Sequence, residues 1–165
     1  MTLRRFTLDD LDRVAELLGD PDVMRYMPGD EPWPRDKAEK ELRGIIAEWG
    51  ERGYGRWAVV DDADGAMIGW CGLGYLKELD ETEVAYILDR DYWNRGYATE
   101  GSMASLRYGF GEAGLERIVA LAFPENAASR RVMEKLGMSF EGVIHIWKLD
   151  LVKYSITREE FLSTF

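Results

Sequence analysis

Residues 92–100 read Tyr92-Trp93-Asn94-Arg95-Gly96-Tyr97-Ala98-Thr99-Glu100. A strand-like segment runs into a turn bent at Gly96, with the small Ala98 two residues later, and a helix then opens that extends to about Phe110. The first N–H groups of a helix lack intrahelical partners and carry a partial positive charge. Consecutive amides in such a turn form a concavity suited to a pyrophosphate. Gly96 lets a ligand approach the backbone closely, and Ala98 does the same while tolerating helical geometry. The stretch is not a Walker P-loop, because no Gly-Lys-Ser/Thr follows, nor a Rossmann G-x-G-x-x-G. Many strand–Gly–helix turns bind nothing, so the assignment depends on what flanks this one.

Upstream lie strand signals. Residues 83–88 form one candidate strand, and residues 56–60 and 66–70 flank Asp64-Gly65, a strong hairpin signature. Before them, Pro34 suits a first helical position. Ala38, Leu42, Ile45, Ile46 and Trp49 then make a helical stripe that Gly53 and Gly55 stop. Thr7 N-caps an earlier helix with Asp10 as a weak capping box and Leu11, Val14, Ala15 and Leu18 as its apolar face. The breaks at Asp20-Pro21 and Met27-Pro28-Gly29 end that region, and residues 3–6 before it read as a short strand. Downstream, residues 117–123 are β-branched and apolar. Asn126 caps a helix that ends at Leu136, with Gly137 at the C′ position. Strands at about 138–147 and 149–156 precede a short acidic tail helix. The predicted order is β-α-α-β-β-β-α-β-α-β-β, an α+β fold on one sheet, expected as a single domain over 1–165.

Composition removes several classes. A net charge of −10 argues against nucleic acid, which demands a basic face. Residues 124–165 hold six basic and six acidic side chains, so the whole excess lies in the first 123 residues. That asymmetry is compatible with a cationic acceptor, although solubility explains it as well. No apolar run approaches the roughly 20 residues of a membrane span. The opening MTLRRF lacks a signal-peptide stretch, so a cytoplasmic protein is expected. Cys71 is the single cysteine, which excludes an intrachain disulfide and a cysteine-rich zinc site. Its apolar strand context points to a buried structural thiol. His145, the single histidine, reads as a sheet residue, and one His makes no metal site.

A second informative stretch runs from Phe123 through Asn126-Ala127-Ala128-Ser129-Arg130-Arg131 to Glu134-Lys135-Leu136-Gly137-Met138. A capped amphipathic helix explains Asn126 and Gly137, but not Ser129-Arg130-Arg131 one turn in. Together the two stretches resemble the Gcn5-related (GNAT) N-acetyltransferase superfamily, and more narrowly its branch of ribosomal-protein N-terminal acetyltransferases. Gly96 and Ala98 match the family's Gln/Arg-x-x-Gly-x-Gly/Ala motif. Trp93 departs from it in the way of the branch's Tyr-Trp-x-x-Gly-Tyr-Ala-Thr-Glu. Asn126, Ser129, Glu134, Lys135 and Gly137 match the branch's second pattern. Residues 20–26 and 154–161 look like its early loop and its closing strand.

The resemblance implies one central, mostly antiparallel mixed sheet with helices on both faces, splayed between the fourth and fifth strands. Acetyl-CoA, the expected cosubstrate, would lie in that gap without any metal. Backbone groups of Ile87, Leu88 and Asp89 would align its pantetheine. The amides of Arg95, Gly96, Tyr97 and Ala98, with Thr99 in the same turn, would take the pyrophosphate, and Arg95 and Arg130 are candidate phosphate partners. Asn126 and Ser129 would act at the thioester end. Glu83 is the first candidate for the base that deprotonates the amine, and Asp89 shares its face by period-2 alternation. Many family members place a Tyr seven residues after the Asn to protonate the thiolate. Here that position is Met133, which cannot donate, so Ser129 is the candidate donor. The missing Tyr also admits a second reading, a non-catalytic acetyl-CoA sensor. The expected acceptor is a protein N-terminal or small-molecule amine, and the chain is expected to act as a monomer or homodimer.

Overall fold

The hairpin signature at Asp64-Gly65 is realised in the computed structural model, which describes residues 1–165, as antiparallel strands β2 (Arg56–Val60) and β3 (Met67–Leu76). Gly65 turns the corner at φ +71°, a value that favours glycine. Strand β1 (Thr2–Arg4) pairs with the outer side of β2, and β4 (Glu81–Leu88) pairs over its full length with Gly69–Leu76 of β3. Seven strands make one sheet in the order β1-β2-β3-β4-β5-β7-β6, where β5 is Arg117–Ala122, β6 Ser139–Ile146 and β7 Leu149–Thr157. Only β4 and β5 run parallel, as a crossover through a helix requires. The fold is thus the α+β sheet that the element order predicts.

The helices are α1 (Leu11–Leu18), α2 (Pro21–Met24), α3 (Arg35–Arg52), α4 (Tyr97–Gly111), α5 (Ala127–Lys135) and α6 (Arg158–Thr164). Several local details differ from the sequence expectation; Pro34, expected at a first helical position, is instead the N-cap of α3, which starts at Arg35. The Thr7–Asp10 capping box forms, but the turn it caps is 3-10, and α1 starts at Leu11. Pro21, expected only as a break, opens the four-residue α2, because proline suits a first helical position and Asp20 accepts from the Asp22 N–H at 2.8 Å.

The sheet separates two cores. Val14, Leu42 and Ile45 of α1 and α3 pack on Ala58, Trp70 and Ile87. On the other face, Leu106 and Phe110 of α4, Met133 of α5 and Leu136 at its C-cap pack on Leu73, Val84, Ile118 and Tyr154. Alternation along β4 therefore turns Val84, Tyr86 and Leu88 toward α4, and Glu83 and Ile87 toward α1 and α3. Gly69 fixes how closely β3 approaches this strand. At its φ of +150°, a Cβ would stand 2.0 Å from the Ile87 carbonyl oxygen and 2.9 Å from Leu88 Cα. Because those atoms are backbone, Gly69→Ala is expected to destabilise the fold by roughly 1–3 kcal/mol. Thermal unfolding would read this as a drop of several degrees in midpoint.

Candidate active site

β4 and β5 share one register pair, Glu83↔Val119. Beyond it the strands part, while β5 stays paired to β7 up to Ala122↔Val152. The gap therefore opens between residues 84–88 of β4 and the end of β5. Asp89 N–H donates to the Ile68 carbonyl at 2.7 Å. In an antiparallel ladder the alternate residues face the other edge, so the backbone groups of Leu88 and Tyr86 turn into the gap and those of Ile87 and Asp89 toward β3. The Leu88 carbonyl there accepts from the Trp93 indole N–H at 2.9 Å.

At the far end of the gap lies the turn that opens α4. Asn94 and Gly96 adopt left-handed φ values of +60° and +86°, and the helix starts only at Tyr97. Gly96 is its N-cap and has no side chain to occupy the free amides. The first ladder bond runs from Glu100 N–H to the Gly96 carbonyl, which leaves the N–H groups of Tyr97, Ala98 and Thr99 available. A Cβ at Gly96 would meet nothing within 4 Å, so the space above the turn is open. Arg95 is exposed, with its guanidinium 5.0 Å from the Tyr92 ring centroid. Arg130 is turned onto the protein, donating to the Tyr154 hydroxyl at 3.3 Å and to the Pro124 carbonyl at 3.2 Å.

On the α3 side, the half-buried Glu83 carboxylate has no hydrogen-bond partner of its own. Across Gly74, whose added Cβ would stand 4.0 Å from both, it shares space with Glu48. Glu48 is anchored by the Tyr75 N–H at 3.1 Å, and Arg56 stands 3.8 Å away from it while bonding Glu41 at 2.7 Å. Burial pushes the Glu83 carboxyl up to about 7; Arg56 opposes the rise and Glu48 adds to it. Asp89 differs, because both of its oxygens are committed, one to the Asp91 N–H and one to Arg13. Burial raises its carboxyl, but those two donors outweigh that and hold it below the usual range. A carboxylate so held is a weak base, and Glu83 is the better of the two candidates.

At the mouth of the gap, Asn126 caps α5 by accepting from the Ser129 N–H at 3.2 Å. Its Nδ2 donates to Ser129 Oγ at 3.2 Å, and the Tyr86 hydroxyl lies 2.9 Å from the same oxygen. Met133 is buried in the α5 core and faces no gap. Asn126→Ala is expected to lower stability by about 1 kcal/mol as a lost cap, measurable as a shift in denaturant midpoint. Cys71 is buried against Ser102 and Ser105, and burial pushes its thiol up to about 11. His145 is exposed beside Asp150, at 2.8 Å. A separate cavity of about 310 Å³ opens at the end of β5, lined by Arg25, Gly29, Asp30, Phe123, Glu125 and Leu149.

Of the residues gathered here, the sequence singled out Glu83, Gly96, Asn126 and Ser129 as candidates; it did not single out their neighbours Tyr86, Glu48 and Arg56, or Arg13 beside Asp89. Alternation along β4 could have turned Tyr86 away from Glu83. Nothing in the sequence pairs Tyr86 with a hydroxyl 43 positions away.

A mixed sheet parted beside its single parallel pair, with an uncapped helix start at the gap and an unbonded carboxylate on the opposite face, can accept a phosphate-bearing cosubstrate and a proton. The chain belongs to the GNAT family of acetyltransferases: a family model described as an acetyltransferase (GNAT) domain matches residues 1–139. It is similar to YkkB of Bacillus subtilis, 35% identical over 142 residues that cover 84% of this chain and 80% of that one. It is also similar to a solved GNAT-family acetyltransferase of Bacillus anthracis, with 29% identity, a TM-score of 0.79 and coverage of 95% and 94%. The fold is shared with RimL, a ribosomal L7/L12 α-N-protein acetyltransferase solved in complex with coenzyme A, at TM-score 0.80, 16% identity and coverage of 94% and 92%. The protein is an acetyltransferase. No helix is long and apolar enough to cross a membrane.

Proposed function

We propose that the protein transfers acetyl from acetyl-CoA to a primary amine by direct attack, with Glu83 as the base. The observation that carries this reading is the free Glu83 carboxylate at the last β4–β5 pair, on the sheet face opposite α4.

The residues present fit acetyl-CoA. Tyr97, Ala98 and Thr99 offer unpaired amides to a pyrophosphate, with no side chain over the Gly96 turn. Charge-assisted bonds contribute roughly 1.5–3 kcal/mol each, so three or four supply most of the affinity. Exposed Arg95 adds charge beside the turn, while Arg130 reaches the phosphates only by leaving Tyr154. The Leu88 edge orients the pantetheine once Trp93 yields its carbonyl, and Ile87 and Asp89 shape that edge from within the β3–β4 ladder. When bound, the cosubstrate supplies an activated thioester.

Glu83 then takes the proton of the acceptor ammonium, directly or through a water. At pH 7, deprotonation costs about 1.4 kcal/mol for an α-amine near 8 and about 4.6 for a lysine-type amine near 10.4. A carboxyl near 7 is within about one unit of the first and more than three units from the second. The favoured acceptor is therefore an α-amine, of a protein N-terminus or a small molecule. The cavity at Phe123 lies on the Glu83 side, four residues along β5 from Val119, or about 13 Å, and suits the remainder of the acceptor.

An acceptor screen with acetyl-CoA that follows free-thiol release tests this. Turnover should appear with peptides bearing free α-amines and be weaker with polyamines. Robust turnover with polyamines alone would reverse the acceptor assignment.

A further inference from the structure

Tyr86 takes no part in the steps above, yet its hydroxyl lies beside a group that does. The Asn126 amide is oriented by a backbone donor. Its Oδ1 accepts from the Ser129 N–H, so Nδ2 is the atom that donates to Ser129 Oγ. One of the two acceptor sites of that hydroxyl is thereby filled. Tyr86, 2.9 Å away and the more acidic of the two hydroxyls, donates into the other. Neither hydroxyl has a further protein partner, so the Ser129 O–H is left without an acceptor. Both groups stand where the strands have parted. Tyr86 is three residues beyond the Glu83 pair, and Ser129 is in the first turn of the helix after β5. Tyr86 approaches from the α4 side, opposite Glu83. Burial holds its phenol above the usual range, so it remains a donor through neutral pH.

We propose that Tyr86 is a positioning residue that aims the Ser129 hydroxyl at the thioester sulfur, so that the pair stabilises the leaving thiolate. This rests on the acetyl-transfer reading above. As the amine nitrogen bonds to the carbonyl carbon, the C–S bond breaks and its electron pair stays on sulfur. Ser129 donates a hydrogen bond to that sulfur. Glu83, having passed the ammonium's first proton to solvent, receives the second as the nitrogen becomes an amide, and water protonates the thiolate after release. No proton leaves Tyr86, because an alkyl thiol ionises more readily than a phenol that burial holds above its usual range. Base and thiolate donor thus act from opposite faces of the sheet, on opposite sides of the reacting carbon.

The test is an ultraviolet titration of the thiol in the complex of the protein with coenzyme A, with calorimetry to confirm binding. In wild type the bound thiol should titrate about one pH unit or more below the thiol of free coenzyme A measured under the same conditions. Ser129→Ala should abolish the shift, Tyr86→Phe should remove at least half of it, and Ser129→Thr, which keeps a hydroxyl, should retain it. With an accepted amine, each loss variant should lower kcat about tenfold, the double variant no further, and the KM for acetyl-CoA should stay within twofold. A thiol that titrates identically in wild type and Tyr86→Phe, or losses that multiply in the double variant, would overturn the proposal. Should Tyr86→Phe fail to fold, an unshifted wild-type thiol or an unaltered Ser129→Ala thiol overturns it equally. Failure of folded wild type to bind coenzyme A would instead remove the acetyl-transfer reading.

Discussion

Glu83→Gln is expected to lower kcat/KM by about a hundredfold near pH 7.5, within the range of a positioned general base. The size of the defect should depend on pH in a defined way. Below about 7 the wild-type carboxyl is itself protonated, and its advantage over glutamine fades. Above the acceptor's own pKa the amine is already neutral, and the advantage fades again. The defect therefore spans a window from about 7 to about 8 for an α-amine, and to about 10.4 for a lysine-type amine. Profiles of both enzymes report the base and the acceptor class together. A defect of the same size at every pH would assign Glu83 to substrate positioning. The same substitution should also stabilise the fold. Folding raises the Glu83 carboxyl above its ordinary 4.5. Between 4.5 and 7 the folded chain thus holds a proton that the unfolded chain lacks, and stability falls as pH rises through that interval. Glutamine escapes this loss, so the variant should be more stable than wild type by roughly 2–3 kcal/mol at pH 8 and about equal at pH 4. Denaturant unfolding at the two pH values checks the sign.

Gly96→Val is expected to weaken acetyl-CoA binding by about a hundredfold or more. The ligand-free protein has room for the side chain, since a Cβ there meets nothing within 4 Å. The cost to the fold comes from φ of +86° alone, on the order of 1–2 kcal/mol for a branched residue. The larger loss arises when a pyrophosphate approaches, because the valine methyls fill the space above the Tyr97–Thr99 amides. Losing two charge-assisted bonds, at roughly 1.5–3 kcal/mol each, gives at least that hundredfold. Calorimetry on the folded variant measures it, and unchanged affinity would place the cosubstrate elsewhere.

Much of the fold was legible because its determinants are local. Asp64-Gly65 specifies a hairpin, Thr7 with Asp10 a helix start, and Asn126 with Gly137 the two ends of α5, each through bonds within four residues. The onset of α4 was less clear, since Asn94 and Gly96 mark a turn without fixing its last residue. Only the left-handed backbone at both residues holds them out of the helix. The candidate site was legible wherever it is made of backbone, as at the Gly96 turn, and wherever alternation sets a direction, as at Glu83.

The sequence by itself determined the order of elements, the open turn before α4, the cap of α5 and the family resemblance that joins them, because these depend on neighbours along the chain. Tertiary structure alone decided which carboxylate is free. Glu83 and Asp89 share a face of β4, but Arg13 of α1 claims Asp89, whereas α3 brings Glu48 to Glu83 and leaves its oxygens unbonded. It also decided that Tyr86 meets Ser129. Pairings across tens of residues depend on how helices dock on the sheet, and burial, which sets the Glu83 carboxyl near 7, exists only once they have docked.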